Sequence, residues 1–324
     1  MDQNMLIEWA MELGFGKAAL CGAGDFFATK QIVDSQPVIA ERKQLKFSPG
    51  EDHPEIRSLA VLLWPYIQAP LCAGNEVFVD SYYEASNLAY HAARELEKRL
   101  TEAGCFAQAN VPYPAREAAV RAGLGIIGRN SMLITPEYGT RIVIILMATD
   151  IPVQLDEKHD CGECLQCGKC TNVCPSGAIG ERGMIHPERC LRNYMMEGVV
   201  VPEAVRQRMG MTLVGCDLCQ RVCPMQPAVR ESHMPPKFTL DEFITEDAQQ
   251  FREAIDRLGQ VIGRNAARPQ RVRAQAALLA GNCEDPTYLP VLEKWSNTEF
   301  LAVREHSLWA ISRIRDCRKS EGGT

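Results

Sequence analysis

Cysteine spacing constrains this chain more than any other feature of its sequence. Nine of the 14 cysteines lie between Cys161 and Cys223, in a chain of 324 residues. A disulfide scaffold is typical of a short secreted chain, whereas here no basic stretch precedes an apolar one at the N-terminus. Clustered thiols in a reducing compartment indicate metal binding. We therefore expect a cytoplasmic protein whose central segment is organised around metal.

The spacing of these cysteines is typical of a protein with two iron–sulfur clusters. Residues 164–175 follow C-x₂-C-x₂-C-x₃-C-P, the run of bacterial ferredoxins, in which the fourth cysteine binds the other cluster. We predict that one [4Fe–4S] cluster is bound by Cys164, Cys167, Cys170 and Cys223. The other would be bound by Cys174, Cys190, Cys216 and Cys219.

Structural zinc is the alternative cofactor for these thiols. Zinc favours two separated C-x₂-C pairs and has no need of the prolines that follow Cys174 and Cys223. Cys161 is surplus to the eight ligands and is either a spare thiol or a fallback ligand. His159 and His186 flank the segment, and because eight cysteines already fill both sites, we expect a structural or solvent-facing role for both.

The N-terminal half alternates strand and helix patterns. Short apolar runs at 57–66 and 141–149 predict buried strands, and the amphipathic stretch 81–100 predicts a helix. Strands separated by helices favour a sheet covered by helices. We therefore assign residues 1–155 to an α/β domain that holds the substrate or a second cofactor.

The remaining residues form two further predicted domains. Residues 156–232 lack hydrophobic periodicity and are rich in cysteine and glycine, which indicates a ferredoxin-like domain organised by bound metal. After a linker at 233–236, residues 233–324 favour an all-α part, whose weak repeats at 272–278 and 303–310 resemble a HEAT-type unit. An unrelated helical cap is the alternative.

No apolar run approaches the roughly 20 residues of a membrane-spanning helix, so we expect no membrane partner.

Two glycine-rich segments complete the pattern. Residues 121–130 read RAGLGIIGRN and residues 134–139 read ITPEYG, which taken alone are turns beside a buried strand. Together with the ferredoxin run, the lone Cys190 and the segment GCDLCQRVCP at 215–224, they resemble the epoxyqueuosine reductases over nearly the whole chain. That family is similar in part to corrinoid-dependent reductive dehalogenases.

The resemblance implies a cobalamin held above an N-terminal, nitroreductase-like sheet. The two clusters would take electrons from an external ferredoxin or flavodoxin and reduce the cobalt, which would act on a modified base in a tRNA anticodon. Glycine lets backbone approach a ligand closely, so the glycine-rich segments are the candidate contact for this cofactor. The candidate cofactor-binding residues are Gly123, Gly125, Gly128, Arg129, Asn130 and Gly139.

One position departs from the family pattern. The family carries an Asp, a proposed proton donor, where this chain has Ala109. Either another residue donates the proton or the substrate differs, and the nearby candidates are Tyr113, Glu117 and Tyr138. Glu117 is the best general acid if it is buried, because desolvation raises a carboxyl pKa. The alternatives are an ion pair between Glu117 and Arg121, and simple packing of Tyr138.

The charge distribution neither requires nor excludes binding to a nucleic acid. The net charge of −6 argues against a surface that is basic throughout, yet residues 252–273 hold six arginines against two acids. Phosphate backbones favour such a strip, so tRNA contact is expected through Arg264, Arg268, Arg271 and Arg273. A solvated helix end is the alternative.

Two alternative functions are also compatible with the sequence: a cobalamin-binding paralogue with another substrate, and an electron-transfer or corrinoid-activating protein without a substrate of its own.

Overall fold

The computed structural model describes residues 2–35, 45–153, 161–180, 184–227 and 236–321. Within these ranges the strands are β1 (Lys17–Gly22), β2 (Ser58–Pro65), β3 (Glu76–Val79), β4 (Ala107–Ala109), β5 (Ile126–Ile127), β6 (Leu133–Ile134), β7 (Ile142–Thr149), β8 (Thr212–Val214) and β9 (Phe238–Thr239).

The α-helices of the same ranges are α1 (Gln3–Glu12), α2 (Phe27–Asp34), α3 (Pro49–Asp52), α4 (Ser81–Glu102), α5 (Ala115–Arg121), α6 (Lys169–Val173), α7 (Leu191–Glu197), α8 (Glu203–Arg206), α9 (Leu218–Arg221), α10 (Ala248–Ile262), α11 (Pro269–Cys283), α12 (Leu289–Trp295) and α13 (Leu301–Glu321). Short 3₁₀ helices are Pro187–Arg189, Gln207–Met209, Leu240–Glu242 and Pro286–Tyr288.

A four-stranded antiparallel sheet of order β1-β2-β7-β4 forms the centre of the N-terminal half. Strand β2 is buried on both faces: Ala60 and Leu62 pack against α1 and α4, whereas Leu59 and Leu63 pack toward α5 and the glycine-rich loop. A strand covered on both sides needs an unbroken apolar run, which explains the sequence of β2 and β7. The prediction of a sheet covered by helices is confirmed.

A second, three-stranded sheet draws on distant parts of the chain. Its order is β8-β3-β9, with β3 parallel to β8 and antiparallel to β9. Each strand comes from a different one of the three predicted domains, and all three contribute to a core shared with α10, α11 and α13. The three segments are therefore joined by backbone hydrogen bonds as well as by the chain.

The C-terminal part differs in two respects from the all-helical prediction. Residues 238–239 form strand β9, because they pair with Val77 and Glu76 of β3. The last helix is longer than predicted and packs along α11. No helix among the described residues is both long enough and apolar enough to cross a membrane. The predicted boundaries near 155 and 232, and residues 233–235 of the predicted linker at 233–236, lie outside the described residues.

Candidate iron–sulfur and cofactor site

Eight thiols gather around two short helices that pack against each other, α6 and α9. The thiol of Cys223 has as electrostatic neighbours the thiols of Cys164, Cys167 and Cys170. The thiol of Cys219 has as neighbours those of Cys216, Cys190, Cys174 and Cys170. These neighbourhoods match the two sets of four that the spacing predicts, with Cys170 within reach of both sets.

Burial differs between the two sets of thiols. Cys167 is exposed, whereas the other seven are half-buried as residues. Burial raises the pKa of the Cys216 thiol to about 12 and also raises that of Cys219, and neighbouring thiols add to both shifts. Bound metal reverses this effect, because a coordinating thiol is deprotonated. Assembly of a metal cluster at these thiols therefore releases protons.

The thiols of the described residues do not converge on a single-ion site. In the part of the chain that the structure describes, no three Cys, His, Asp or Glu side chains converge to hold one metal ion. The ligands of one tetrahedral zinc lie about 4 Å apart, because each Zn–S bond is about 2.3 Å. A cubane binds its four thiolates through four different iron atoms, so the four sulfur atoms of its ligands lie farther apart than those of a zinc site.

A polar seam, formed by Tyr66, Thr140, Gln220 and Gln226, joins the cysteine segment to the N-terminal sheet. Oε1 of the buried Gln220 accepts hydrogen bonds from the Tyr66 hydroxyl and from Thr140 Oγ1, each at 3.1 Å. Gln226 Nε2 donates to the carbonyl of Gln220 at 3.1 Å, and Gln226 Oε1 accepts from the Thr140 N–H at 3.2 Å. The seam therefore holds the turn that carries Cys219 against the ends of β2 and β7.

Asp217, between Cys216 and Cys219, extends this attachment. Its buried carboxylate accepts from Gln68 Nε2 at 2.8 Å and from Arg221 Nε at 2.7 Å. Arg221 also donates to the carbonyl of Ala69 at 2.6 Å. A buried carboxylate with both oxygens paired fixes the turn without leaving an uncompensated charge.

The start of α4 meets the same turn from the other side. Asp80 caps this helix by accepting from the Tyr82 N–H at 3.0 Å. Burial, and then the charge of Asp217, raise the pKa of Asp80 to about 6. Gly215 has a φ of +86°, and a Cβ there would lie 2.4 Å from the Asp80 Cβ. Only glycine allows the cysteine segment to approach the helix this closely.

The glycines of the two predicted cofactor segments pack within the protein. Gly123, with a φ of +69°, follows α5 and donates to the Val120 carbonyl at 3.0 Å. A Cβ on Gly125 would lie 2.3 Å from the Ile134 carbonyl oxygen, and one on Gly128 would lie 2.6 Å from Ile134 Cδ1. A Cβ on Gly139 would lie 2.2 Å from Gln226 Oε1. A cofactor would therefore meet this loop mainly through its other residues.

Arg129 and Asn130 connect that loop to the second thiol set. Asn130 is buried, and its Nδ2 donates to the carbonyl of Cys219 at 3.4 Å. Among the described residues, Arg129 Nε and Ser81 Oγ are buried without a hydrogen-bond partner. Ser81 follows Asp80, so both unpartnered atoms neighbour residues that contact the 215–219 turn. Buried polar atoms rarely lack partners, and these two fit a polar group bound at this face.

The three candidate proton donors all have partners within the chain. The Tyr113 hydroxyl donates to Asp52 Oδ2 at 2.8 Å, and burial and this carboxylate together raise the pKa of Tyr113. The Tyr138 hydroxyl donates to the Gly16 carbonyl at 3.0 Å. Glu117 forms the alternative ion pair with Arg121 at 2.6 Å, and it also accepts from Thr29 Oγ1.

The position of the family Asp is well defined. Ala109 is buried at the end of β4, opposite Met147 of β7. Asn110, which follows it, is exposed and has a φ of +61°, an uncommon conformation for a residue with a Cβ. The chain therefore turns sharply after a side chain that has no proton to donate.

The predicted arginine strip divides into two pairs. Arg264 and Arg268 are exposed, and neither forms an ion pair within the described ranges. Arg273 lies over the rings of Phe251 and Trp295, with its guanidinium carbon 4.3 and 5.9 Å from their centroids. Arg271 packs its stem 3.5 Å from where a Cβ on Gly198 would be. Arg264 and Arg268 are thus the better candidates for a phosphate partner.

The surplus groups of the segment have local contacts. The Cys161 thiol donates to the Gly123 carbonyl at 3.3 Å, which links it to the glycine-rich loop. His186 faces Glu188, with Nδ1 and Oε1 3.4 Å apart, in keeping with a structural role. His159 lies outside the described residues.

Sequence reasoning missed the residues that attach the turn to the sheet. Gln220 and Asp217 were inside the recognised segment GCDLCQRVCP, but only its cysteines were assigned roles. Polar residues between metal ligands are a usable signal, because groups around a site are normally held by hydrogen bonds. Their partners Tyr66 and Gln68 carry no such signal, because they lie about 150 residues away along the chain.

Known proteins share both the segment and the fold. The family described as 4Fe-4S double cluster binding domain matches residues 163–226, the range that contains all eight predicted ligands. The chain is 31% identical to epoxyqueuosine reductase of Bacillus subtilis (strain 168) over 208 residues, which cover 62% of this chain and 53% of that protein. It is 26% identical to epoxyqueuosine reductase of Escherichia coli (strain K12), covering 97% of this chain and 90% of that one.

The fold likeness extends over nearly the whole chain. A structure of epoxyqueuosine reductase with an epoxyqueuosine-modified tRNA-Tyr stem loop matches with a TM-score of 0.82 at 24% identity, covering 98% of this chain and 92% of that one. The alignment with the Bacillus subtilis protein spans about half the length of that relative, and the Escherichia coli alignment spans most of its own. The chain is therefore a relative of the epoxyqueuosine reductases that has their fold and carries a double [4Fe–4S] cluster binding domain.

Proposed function

We propose that this protein is an iron–sulfur oxidoreductase of the epoxyqueuosine reductase type. It passes electrons from two [4Fe–4S] clusters to a bound cobalamin and reduces an electrophilic substrate, epoxyqueuosine in tRNA or a related compound. The observation that carries the proposal is the grouping of eight thiols into two sets, one of them beside a face with unpartnered buried polar atoms. The electron donor is an external ferredoxin or flavodoxin in the cytoplasm.

The cysteines give this electron path a direction. One cluster is held by Cys164, Cys167, Cys170 and Cys223, and the other by Cys174, Cys190, Cys216 and Cys219. The first set includes the exposed Cys167, where an external donor has access. The second set is attached through the polar seam to the N-terminal sheet. An external donor would therefore reach the cluster at the first set, and the cluster at the second set would be the one attached to the N-terminal sheet.

The candidate cobalamin-binding residues lie at the face beside the second thiol set. Arg129 and Ser81 supply polar groups that lack partners among the described residues, and Asn130 holds the loop of Arg129 on the Cys219 carbonyl. When bound, cobalamin supplies a cobalt centre that accepts single electrons and reacts with an electrophilic carbon. The hydrogen bonds of Gln220 and Asp217 keep the neighbouring turn in place.

Ala109 favours one alternative, a paralogue that reduces a different substrate. An alanine cannot protonate the product, and Tyr113, Glu117 and Tyr138 would each have to leave a partner in the chain to do so. Replacing Ala109 with Asp separates the two cases. A gain of turnover on epoxyqueuosine tRNA supports the epoxide substrate, and no gain supports a different one.

We also propose the finer architecture. The helices on both faces of the four-stranded sheet support a nitroreductase-like N-terminal domain at 1–155. The packing of α6 against α9 supports a ferredoxin-like domain at 156–232. The close packing of α11 with α13 supports a HEAT-like part at 233–324.

Metal content and turnover of anaerobically purified protein test the proposal. We expect about eight irons per chain from two cubanes and one cobalt after cobalamin is added. With a chemical reductant, the loaded protein should convert epoxyqueuosine tRNA or a related electrophile. A protein that binds iron but takes up no cobalamin would contradict the reductase mechanism and leave an electron-transfer role.

A matched pair of cysteine variants tests the ligand assignment. Cys219→Ala should lose about half of the iron, because it removes one ligand of the second cluster. Cys105→Ala removes a half-buried thiol that packs in the N-terminal core instead, and it should keep all the iron. Equal iron content in the two variants would contradict the assignment of Cys219.

A further inference from the structure

A groove of about 470 Å³ opens between helix α4 and the turn that joins α10 to α11. One wall consists of α4 side chains and the other of turn residues; the lining includes Asn87, Tyr90, His91, Arg264 and Asn265. Asn87 Nδ2 donates to the Gln260 carbonyl at 3.1 Å, which ties the two walls together. The groove is therefore held open by contacts between two packed helices.

An exposed aromatic ring lies in this groove. Tyr90 is 46% exposed, although a large aromatic side chain is usually covered in a folded protein. The ring of His91 is nearly perpendicular to it, with centroids 5.5 Å apart. A single perpendicular neighbour can cover at most one face of the tyrosine ring. A flat apolar ligand can therefore stack on Tyr90.

The groove is positively charged, in contrast to the chain as a whole. Arg264 lies in its lining, and Arg268 is exposed four residues farther on. Neither arginine is ion-paired within the ranges that the structure describes, whereas Arg257 of the same region pairs with Glu242. In a chain of net charge −6, two uncompensated arginines beside an exposed aromatic ring favour an anionic ligand with a flat ring.

We propose that this groove binds one nucleotide of a single-stranded RNA segment, with its base stacked on Tyr90 and its phosphate paired with Arg264. Stacking on an aromatic side chain beside a cationic residue is the chemistry by which proteins hold unpaired RNA. The inference rests on the proposed function, in which a tRNA loop is the substrate.

The groove lies along α4 from the face proposed to hold the cofactor. Tyr90 lies ten residues after Asp80 on α4, which is about 15 Å along the helix. Asp80 contacts Gly215, next to Cys216 of the second thiol set. The groove therefore holds the RNA strand at a distance from the cofactor face and leaves that face to the substrate.

Binding of a fluorescent tRNA anticodon stem-loop to the cluster-loaded protein, measured over a range of salt concentrations, tests the groove. Tyr90→Ala should weaken binding about 5- to 100-fold, and Tyr90→Phe should retain it, because a base stacks on either ring. Arg264→Gln should lower the slope of log affinity against log salt by about 0.7, the value for one contact to a single strand. Lys98→Gln, an exposed charge elsewhere on α4, should change neither quantity beyond a small screened effect.

The outcomes separate the groove from the proposed function. If the wild type binds the stem-loop and Tyr90→Ala binds it equally well, the groove has no part in RNA binding while the proposed function stands. If the wild type fails to bind tRNA yet holds iron and cobalamin, the RNA substrate and the groove are both overturned. Tight binding of a free nucleoside monophosphate, equal to that of the stem-loop, would overturn the assignment to an RNA strand. Iron content and circular dichroism of each variant show that it is folded.

Discussion

His306 makes the attachment of the C-terminal helices sensitive to acid. It is 1% exposed on α13, where its Nε2 accepts from the Val201 N–H at 2.9 Å and its Nδ1 lies 2.8 Å from the Ala274 carbonyl of α11. Only a neutral ring with its proton on Nδ1 satisfies both partners, because the Val201 N–H donates to an unprotonated Nε2 and the Ala274 carbonyl accepts from a protonated Nδ1. Burial lowers the pKa of His306 to about 4.

The magnitude of this effect follows from the two protonation equilibria. An unfolded histidine has a pKa of about 6.5, so between about pH 6.5 and 4 the unfolded state binds a proton that the native state excludes. The contribution of His306 to the free energy of unfolding is therefore complete above pH 6.5 and is lost as pH falls through 4. A shift of about 2.5 pKa units corresponds to about 3 kcal/mol.

Urea unfolding of the anaerobic, cluster-loaded protein at pH 7.0 and at pH 4.5 measures this loss. The variant His306→Gln does not titrate, and its amide offers one donor and one acceptor to the same partners. We expect the wild type to lose about 2 kcal/mol more than this variant between the two pH values. Acid damage to the clusters affects both proteins and cancels in the difference.

His53→Gln is the control, because His53 is exposed and its substitution should leave the pH dependence of the wild type intact. Equal losses in the wild type and in His306→Gln would refute the argument that the buried neutral ring carries the sensitivity.

Two further perturbations test the packing of the site. Gly125→Ala should destabilise the protein by about 1 to 3 kcal/mol in thermal unfolding, because its Cβ would lie 2.3 Å from the Ile134 carbonyl oxygen. Gly50→Ala is the control: no atom of the described residues lies within 4 Å of its Cβ, so this substitution should be neutral or slightly stabilising. Equal changes in stability for the two variants would contradict the close approach at Gly125. Gln220→Leu should cost about 1 to 3 kcal/mol by leaving the buried Tyr66 hydroxyl without a partner, and adding Tyr66→Phe should recover part of that loss in a double-mutant cycle. Strictly additive effects of the two substitutions would show that Gln220 and Tyr66 do not act together.

Local patterns predicted the central sheet and its main helix. The apolar runs at 57–66 and 141–149 became β2 and β7, and the amphipathic stretch at 81–100 became most of α4. These predictions succeed because burial of both faces of a strand requires a continuous apolar run, and burial of one face of a helix requires apolar residues at helical spacing. Both patterns are visible in the segment itself.

The short strands and the polar contacts carry no comparable signal. Phe78 of β3 pairs with Thr212 of β8, and both strands are too short to show a period. The glycines of the RAGLGIIGRN segment were predicted to contact a cofactor, and in the structure Gly125 and Gly128 lie against Ile134, the second residue of strand β6 in the same hairpin. A glycine in sequence indicates a close approach but does not say what approaches.

The sequence by itself predicts eight metal ligands and their division into two sets, because each short gap between cysteines limits which thiols can reach one cluster. It also determined the position at which the family carboxylate is replaced by Ala109. Only the tertiary structure decided how the second set is held, through bonds from Gln220 and Asp217 to Tyr66 and Gln68. It alone also decided that Arg264 lies beside Tyr90 without an ion-pair partner among the described residues, while Arg273 is covered by aromatic rings. The physical reason is that ligand spacing is a property of neighbouring residues, whereas burial and hydrogen-bond partners depend on segments that folding brings together from far along the chain.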